Sequence, residues 1–468
     1  MHIPRRRHSL YSHRRSKVVA TTSVSERDSV EMKVLYVDPS LRFFLGHHAN
    51  VCEALSGSLR EQGHEVIVAI SCHAEDKIKG QRSFRKPVYD LMALDPESRR
   101  DRAYLRAAAV QYCRELGTLL LQHNPNIVYA HSINAPACEG FLKAIDIVYG
   151  KDSRPSLVAE FSFSLDAPPP YFYREQLSDM FLRLQRRRSN QSKRFVAVTT
   201  DRQTSELLTR EFDWRVEVFP SPYSLPELGA APGRLPDAPV VIGCAGHQFT
   251  RKGYHYLPEI IKTVVDSGWP TQFTVQVQLD TFPETLEKLK QLEKRGYPVE
   301  LVSKELSKSD YERFVERFDV FLLPYDPKAY ESAMSGVLYE ALSRGRVVVA
   351  PDHSAIGRIA RIYQPESPQF ETWEPKTIAA SILDALRLFE SLQLGALSGA
   401  ARYREKNGPH AYMREVLARA GSETPRICSP IAGRLRLQMQ QIERLRSKLQ
   451  ASVAKSLRIG ARRVAKDR

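Results

Sequence analysis

The run Ser335-Gly336-Val337-Leu338-Tyr339-Glu340-Ala341-Leu342, continuing into Gly345-Arg346-Val347-Val348-Val349-Ala350, sets a short loop, a helix with one carboxylate and a buried β-run in succession. Backbone N–H groups at such a helix start point at an anion, and the macrodipole adds roughly half a positive charge there. Glu340 follows Ser335 by five residues, within reach of a ribose whose phosphate is held at the loop. Ser335, Gly336, Val337 and Glu340 read as half of a nucleoside-diphosphate cradle. A second segment, Gly243-Cys244-Ala245-Gly246-His247-Gln248-Phe249-Thr250-Arg251-Lys252-Gly253, stands between a strand and a helix. Its glycines allow close backbone approach, and Lys252 with Arg251 puts cationic charge where a diphosphate would sit. Alone, each segment also reads as an ordinary strand–turn–helix connection. Taken together, they favour phosphate binding.

The elements that must position these groups follow from the apolar runs. Met32–Val37, Glu65–Ile70, Ile127–Ala130, Leu157–Phe161, Phe195–Val198 and Val216–Phe219 read as strands. Helices fall between them, one ending near Gln62 with Gly63 as its stop, one over Arg102–Gln122 and one over Ala137–Tyr149. Six prolines between Pro220 and Pro239 mark a linker. The alternation restarts at Val240–Gly243 and continues through Phe273–Val277, Val299–Val302, Val320–Leu323 and Val347–Ala350. Strands alternating with helices predict two doubly wound α/β domains, with ligands at the carboxyl ends of the strands. The expected division is a disordered basic segment over 1–30, a first domain over 31–220, a linker over 221–239, a second domain over 240–420 and a basic amphipathic tail over 421–468.

The chain has 468 residues and a formal net charge of +15, all of it accounted for by the two ends. Residues 1–25 hold six basic residues and no acidic one, residues 421–468 twelve against three, and residues 26–420 balance. A nucleic-acid enzyme more often carries its basic residues across the body, so no specific nucleic-acid partner is expected. No apolar run suggests a transmembrane helix, and no apolar stretch follows Arg5-Arg6-Arg7 to make a secretory signal. The six cysteines are scattered without metal-ligand spacing and read as reduced thiols of a cytosolic protein.

Over residues 32–420 the chain resembles the family 4 glycosyltransferases (glycosyl transferases group 1), which have the GT-B fold of two Rossmann-like domains facing across a cleft. The family's Gly-Arg-x-x-x-x-Lys-Gly element stands here as Gly246-His247-x-x-x-x-Lys252-Gly253, with His247 in the arginine position. Lys252 matches the phosphate-binding lysine. Of the family's Glu-x7-Glu pair, the second is Glu340, which the resemblance assigns to the ribose hydroxyls. The first position is Ser332, with Glu331 one residue out of register. Gly46, beside His47-His48, falls where the family has a glycine-rich loop lining the cleft. His131 follows a strand where the family often has a histidine near the transferred sugar, though a histidine there also reads as structural. Asp166, before three prolines, reads as a turn residue or as part of the cleft wall.

The resemblance implies a retaining transfer of a sugar from a nucleoside-diphosphate sugar to a glycan or lipid-linked acceptor, in polysaccharide or glycoconjugate synthesis. His131, Lys252 and Glu340 are then the expected catalytic groups. Gly46, Gly246, His247, Arg251, Ser335, Gly336 and Val337 are expected to hold the donor with Lys252 and Glu340. The chain contains no Asp-x-Asp, so no metal is expected, and no cofactor beyond the nucleotide sugar as co-substrate. Residues 431–460 repeat Leu435, Met439, Ile442, Leu445, Leu449, Val453 and Leu457 at three- and four-residue spacing among Arg and Lys. Such a helix suits an anionic membrane surface or a helical partner, and places the protein in the cytoplasm or at the membrane's cytoplasmic face. Ser332 and His247 leave open a catalytically degenerate scaffold or regulatory subunit. A sugar-nucleotide epimerase shares the fold but needs an acid pair that the sequence does not display.

Overall fold

The computed structural model describes residues 31–44, 46–85, 102–150, 154–161, 178, 180–182, 194–226, 238–277, 282–303, 306–331, 333–419, 425 and 427. Asp166, Ser332, the segment 1–30 and the amphipathic repeat of the tail lie outside them.

A first sheet contains β1 (Lys33–Asp38), β2 (Glu65–Ser71), β3 (Gln81–Phe84), β4 (Ile127–Ala130), β5 (Ser156–Glu160), β6 (Phe195–Thr199) and β7 (Val216–Val218). Its seven strands run in the order β3-β2-β1-β4-β5-β6-β7 with parallel pairing. Val34, Leu35, Tyr36 and Val37 are fully buried, as expected of a strand covered on both faces. Its helices are α1 (His47–Glu61), α2 (Arg102–His123), α3 (Ala135–Tyr149) and α4 (Arg202–Phe212). Gly63 adopts φ 81° just beyond α1, the left-handed conformation that stops a helix. The Asn134 side chain accepts from the Ala137 N–H at 2.9 Å and so caps α3.

The second sheet has six strands, β8 (Val240–Cys244), β9 (Thr271–Gln276), β10 (Val299–Val302), β11 (Val320–Leu322), β12 (Val347–Pro351) and β13 (Gln369–Phe370), in the order β10-β9-β8-β11-β12-β13. With them go α5 (Leu257–Asp266), α6 (Pro283–Lys294), α7 (Lys308–Glu316), α8 (Gly336–Ser343), α9 (Ala355–Tyr363), α10 (Pro375–Arg387), α11 (Phe389–Lys406) and α12 (Pro409–Leu417). The doubly wound expectation therefore holds for both sheets. β3 and β13 go beyond it: each is a short edge strand, ordered by a neighbour's open hydrogen-bonding edge rather than by an apolar run of its own.

Strand order reverses beside β1 in one sheet and beside β8 in the other, and the crevice for a ligand forms at the carboxyl ends of such strands. α12 returns to the first sheet, where Tyr412, Met413 and Val416 are buried with Val34, Val51, Leu55 and Tyr129. The loop after β6 and the start of α4 also meet α8 and α9 of the second sheet's layer directly. Thr200 Oγ1 lies 3.2 Å from Tyr339 Oη, and Arg358 donates to Asp201 at 2.9 Å. Among the described residues no helix is long and apolar enough to cross a membrane.

Candidate active site

β8 delivers the chain into the Ala245–Phe249 loop, and a single turn of 3-10 helix, Thr250–Lys252, follows. Gly246 has φ 94°, and a Cβ built there would stand 3.4 Å from Lys252 Nζ and 3.3 Å from Val337 Cγ2. The lysine amine, the bare glycine backbone and the first turn of α8 therefore converge on one place. Gly253 closes the turn at φ 65°, where an added Cβ would lie 1.9 Å from the Pro324 carbonyl oxygen. Glycine at 253 is thus a steric requirement: the chain passes over the carboxyl end of β11 with no room for a side chain there. Lys252 Nζ sits 5.3 Å from the Tyr325 ring centroid. Burial holds its amine down to about 8, with Arg251 adding to the effect and Cys244 and Glu340 opposing it.

α8 begins at Ser335, whose side chain makes no capping hydrogen bond, so its hydroxyl does not satisfy the helix's leading N–H groups. Glu340, a turn and a half in, accepts from Tyr311 Oη at 2.8 Å. Burial raises the Glu340 carboxyl above its ordinary value, while Arg344, Tyr311 and Lys252 pull it back. Lys252 and Glu340 thus lie in each other's field, on the same side of the lobe. Arg251 stacks its guanidinium 5.1 Å from the Phe249 ring, and His247 is exposed at 6.2 Å from the same ring. Tyr330 is buried against Tyr325, whereas Glu331 is exposed.

The first sheet contributes a second group of residues. Gly46, at φ 104°, opens α1, and the two residues after it face different partners. His47 Nδ1 lies 2.6 Å from Tyr223 Oη, and His48 Nδ1 lies 2.7 Å from Asp38 Oδ2. His131, just past β4, is 2.6 Å from Glu160 Oε2 through Nδ1. Glu160 also accepts from Tyr129 Oη at 2.6 Å, and Tyr412 Oη stands 3.0 Å from Tyr129 Oη. The three imidazoles cluster with ring centroids 5.1 to 5.3 Å apart. His131 is fully buried, while the His48 side chain is 13% exposed.

Electrostatics in this group follow burial and pairing. Burial would raise the Glu160 carboxyl, but the His131 charge and hydrogen bond and the Tyr129 hydroxyl bring it to about 2. Asp38 shows the same competition, won by His48. His47 is held down to about 3 by burial and by the two neighbouring imidazoles, so it stays neutral. Donor atoms of Asp38, His48 and His131 lie within 4.8 Å of one another. The Asp38–His48 separation of 2.7 Å is that of a hydrogen bond, whereas two ligands on one tetrahedral cation stand about 3.3 Å apart. The arrangement as found is a pair of carboxylate–imidazole hydrogen bonds.

Reading the sequence alone passes over Asp38, Glu160, Tyr129, Tyr223, Tyr311 and Tyr412. For Asp38 and Glu160 a signal exists: each is an acid ending an otherwise apolar strand, at the edge where such sheets bind ligands. Tyr223, Tyr311 and Tyr412 carry none, because they reach the site from a linker and from helices remote in sequence, and Tyr129 reads only as part of the apolar run of β4.

No family model matches the chain, and no curated protein does. Solved structures match over most of the chain. A glycosyltransferase from Rickettsia africae superposes with TM-score 0.60 at 12% identity, covering 83% of this chain and 97% of its own. HepE of Anabaena, solved in complex with UDP, gives 0.58 at 14%, covering 83% and 100%. Sucrose-phosphate synthase of Thermosynechococcus elongatus gives 0.56 at 13%, covering 90% and 100%. The chain thus has the GT-B fold, two Rossmann-like lobes with parallel sheets.

Proposed function

We propose that this protein is a glycosyltransferase of the family 4 type, moving a hexose from a nucleoside-diphosphate sugar to a glycan or lipid-linked acceptor with retention at the anomeric carbon. The observation that carries the reading is the convergence of the Lys252 amine, the Gly246 backbone and Val337 at the start of α8. Each supplies what a leaving diphosphate needs: a cation, close backbone approach and oriented N–H groups. Glu340, a turn and a half further in, is the group this reading assigns to the ribose. HepE, which shares the fold, was solved with UDP and with UDP-glucose.

Transfer breaks the bond between the anomeric carbon and the phosphate oxygen, and the electron pair leaves with the diphosphate. Lys252, and Arg251 or His247 where they reach the phosphates, stabilise that charge without a cofactor. The same reading carries residues 431–460 as a contact with anionic membrane, supported by their charge and spacing. A panel of nucleotide sugars, with released nucleoside diphosphate measured by mass spectrometry, tests it. Release from one donor that depends on Lys252 is the expected result. Diphosphate binding without release from any donor would instead describe a scaffold.

A further inference from the structure

We propose that Tyr311 is a positioning residue: it orients the Glu340 carboxylate for the ribose of a bound nucleotide and so sets a preference for ribonucleoside over deoxyribonucleoside diphosphates. This deepens the transferase reading, on which it rests, by adding a second side chain to the ribose contact.

Tyr311 stands one turn into α7, whose start is capped by Ser307 accepting from the Asp310 N–H at 3.2 Å. Its ring lies 6.3 Å from that of Phe314 and packs against the apolar cluster that contains Val337, Leu338 and Tyr339 of α8. Helix and ring are thus fixed by packing, and Oη donates to Glu340 Oε2 at 2.8 Å. The terminal torsion of a free glutamate is broad and roughly two-fold. A hydrogen bond to an ionised oxygen is strong enough to select one orientation.

A carboxylate offers about four lone-pair sites and, when ionised, donates nothing. Tyr311 occupies one, and among the described residues no other hydrogen bond reaches this carboxylate. The sites left over suit a pair of hydroxyl donors. A ribose carries two on neighbouring carbons, and either deoxy form carries one. At 1.5 Å rise per residue Glu340 lies about 6 Å beyond Gly336 along α8, the span from a phosphate at the helix start to the hydroxyls of its own ribose.

The charged and titratable groups in the field of this carboxylate are Arg344 from its own helix, Tyr311 and Glu312 from α7 and Lys252 from the turn after β8. Burial and Glu312 favour the neutral acid, whereas Arg344, the Tyr311 hydrogen bond and Lys252 favour the carboxylate. Burial and Glu340 push the Tyr311 hydroxyl well above the ordinary tyrosine range, so it stays protonated and acts as the donor.

The test compares Tyr311→Phe, Glu340→Gln and the double variant with wild type, all full-length. Calorimetry reads the affinities of UDP, ADP and GDP and of their 2′-deoxy and 3′-deoxy counterparts. Wild type should prefer one ribonucleotide to at least one of its deoxy forms by roughly tenfold or more. In Tyr311→Phe that preference should shrink by roughly threefold or more, with affinity for the deoxy form within about twofold of wild type. Glu340→Gln should abolish it, and the double variant should match Glu340→Gln, because Tyr311 acts through that carboxylate. A Tyr311→Phe that weakens both sugars alike, a preference it leaves intact, or a double variant weaker than Glu340→Gln would each overturn the proposal. A wild type that binds diphosphates without regard to the ribose hydroxyls overturns it too, while leaving the transferase reading in place. Binding of no nucleoside diphosphate removes that reading and this proposal together.

Discussion

Tyr223 Oη and His47 Nδ1 lie 2.6 Å apart, joining the run between the two sheets to the first turn of α1. The Tyr223 ring also packs 4.9 Å from Tyr339 and against Gly336, so one phenol touches both halves of the candidate site. Burial pushes its hydroxyl well above the ordinary tyrosine range, so it stays protonated and can donate to the neutral imidazole.

Tyr223→Phe keeps the ring and removes the hydroxyl, leaving His47 Nδ1 without this partner. A loss of about 1–2 kcal/mol is expected, read from the urea midpoint. Gly336→Ala, whose Cβ would stand 3.0 Å from the Tyr223 ring, should disturb nucleotide binding more than stability. Equal nucleotide affinity in Gly336→Ala and wild type would separate Tyr223 from the phosphate site.

Lys252→Ala and Glu340→Ala should each weaken nucleoside-diphosphate binding tenfold or more, about 1.4 kcal/mol. The free amine of Lys252 sits near 8, and a bound diphosphate favours its charged form. Binding at pH 8 and above should therefore take up protons, and affinity should fall as pH rises further. Calorimetry in buffers of different ionisation enthalpy reads this directly. An uptake that persists in Lys252→Ala would assign the proton elsewhere.

Acid should destabilise the fold in two overlapping windows. An unfolded imidazole binds a proton below about 6.5, which folded His47 refuses until about 3, so stability declines as pH falls between them. Glu160, held at about 2 against an ordinary 4.5, contributes stability that is present above pH 4.5 and lost as pH falls towards 2. His47→Gln should flatten the upper part of the profile of urea midpoint against pH. An unchanged slope there would show that His47 does not carry it.

Gly253→Ala should be among the more damaging single changes in the second sheet. It forces a side chain into φ 65° and to within 1.9 Å of the Pro324 carbonyl oxygen, at an expected loss of about 3 kcal/mol. Thermal unfolding measures it. Gly57→Ala, in mid-α1 where a Cβ meets nothing within 4 Å, is the control and should be neutral or mildly stabilising.

Liposome pelleting of the full-length chain addresses the basic segment 431–460. Binding to vesicles with anionic lipid that is lost with salt, and absent for a chain ending at residue 420, is the expected outcome. Binding that ignores lipid charge would count against recognition of anionic lipid by this segment, and no binding to any vesicle would count against a membrane role.

The fold was legible because parallel strands covered on both faces must be continuously apolar, as Val347-Val348-Val349-Ala350 is. The glycine–lysine turn after β8 was legible for a related reason. A glycine at positive φ and a lysine beside it, as at Gly246 and Lys252-Gly253, are local demands of one turn and remain adjacent in sequence. The resemblance further named Lys252 and Glu340 as partners across most of a lobe.

What the chain by itself determined is therefore the alternation of strands and helices, the glycine-rich turn and the carboxylate on the later helix. Only the tertiary structure decided that Asp38 pairs with His48, that Glu160 joins His131 to Tyr129 and through it to Tyr412, and that Tyr223 bridges α1 and α8. These pairings join residues up to 283 positions apart. A hydrogen bond of that kind depends on which strand ends lie side by side and on α12 crossing back to the first sheet, neither of which local spacing encodes.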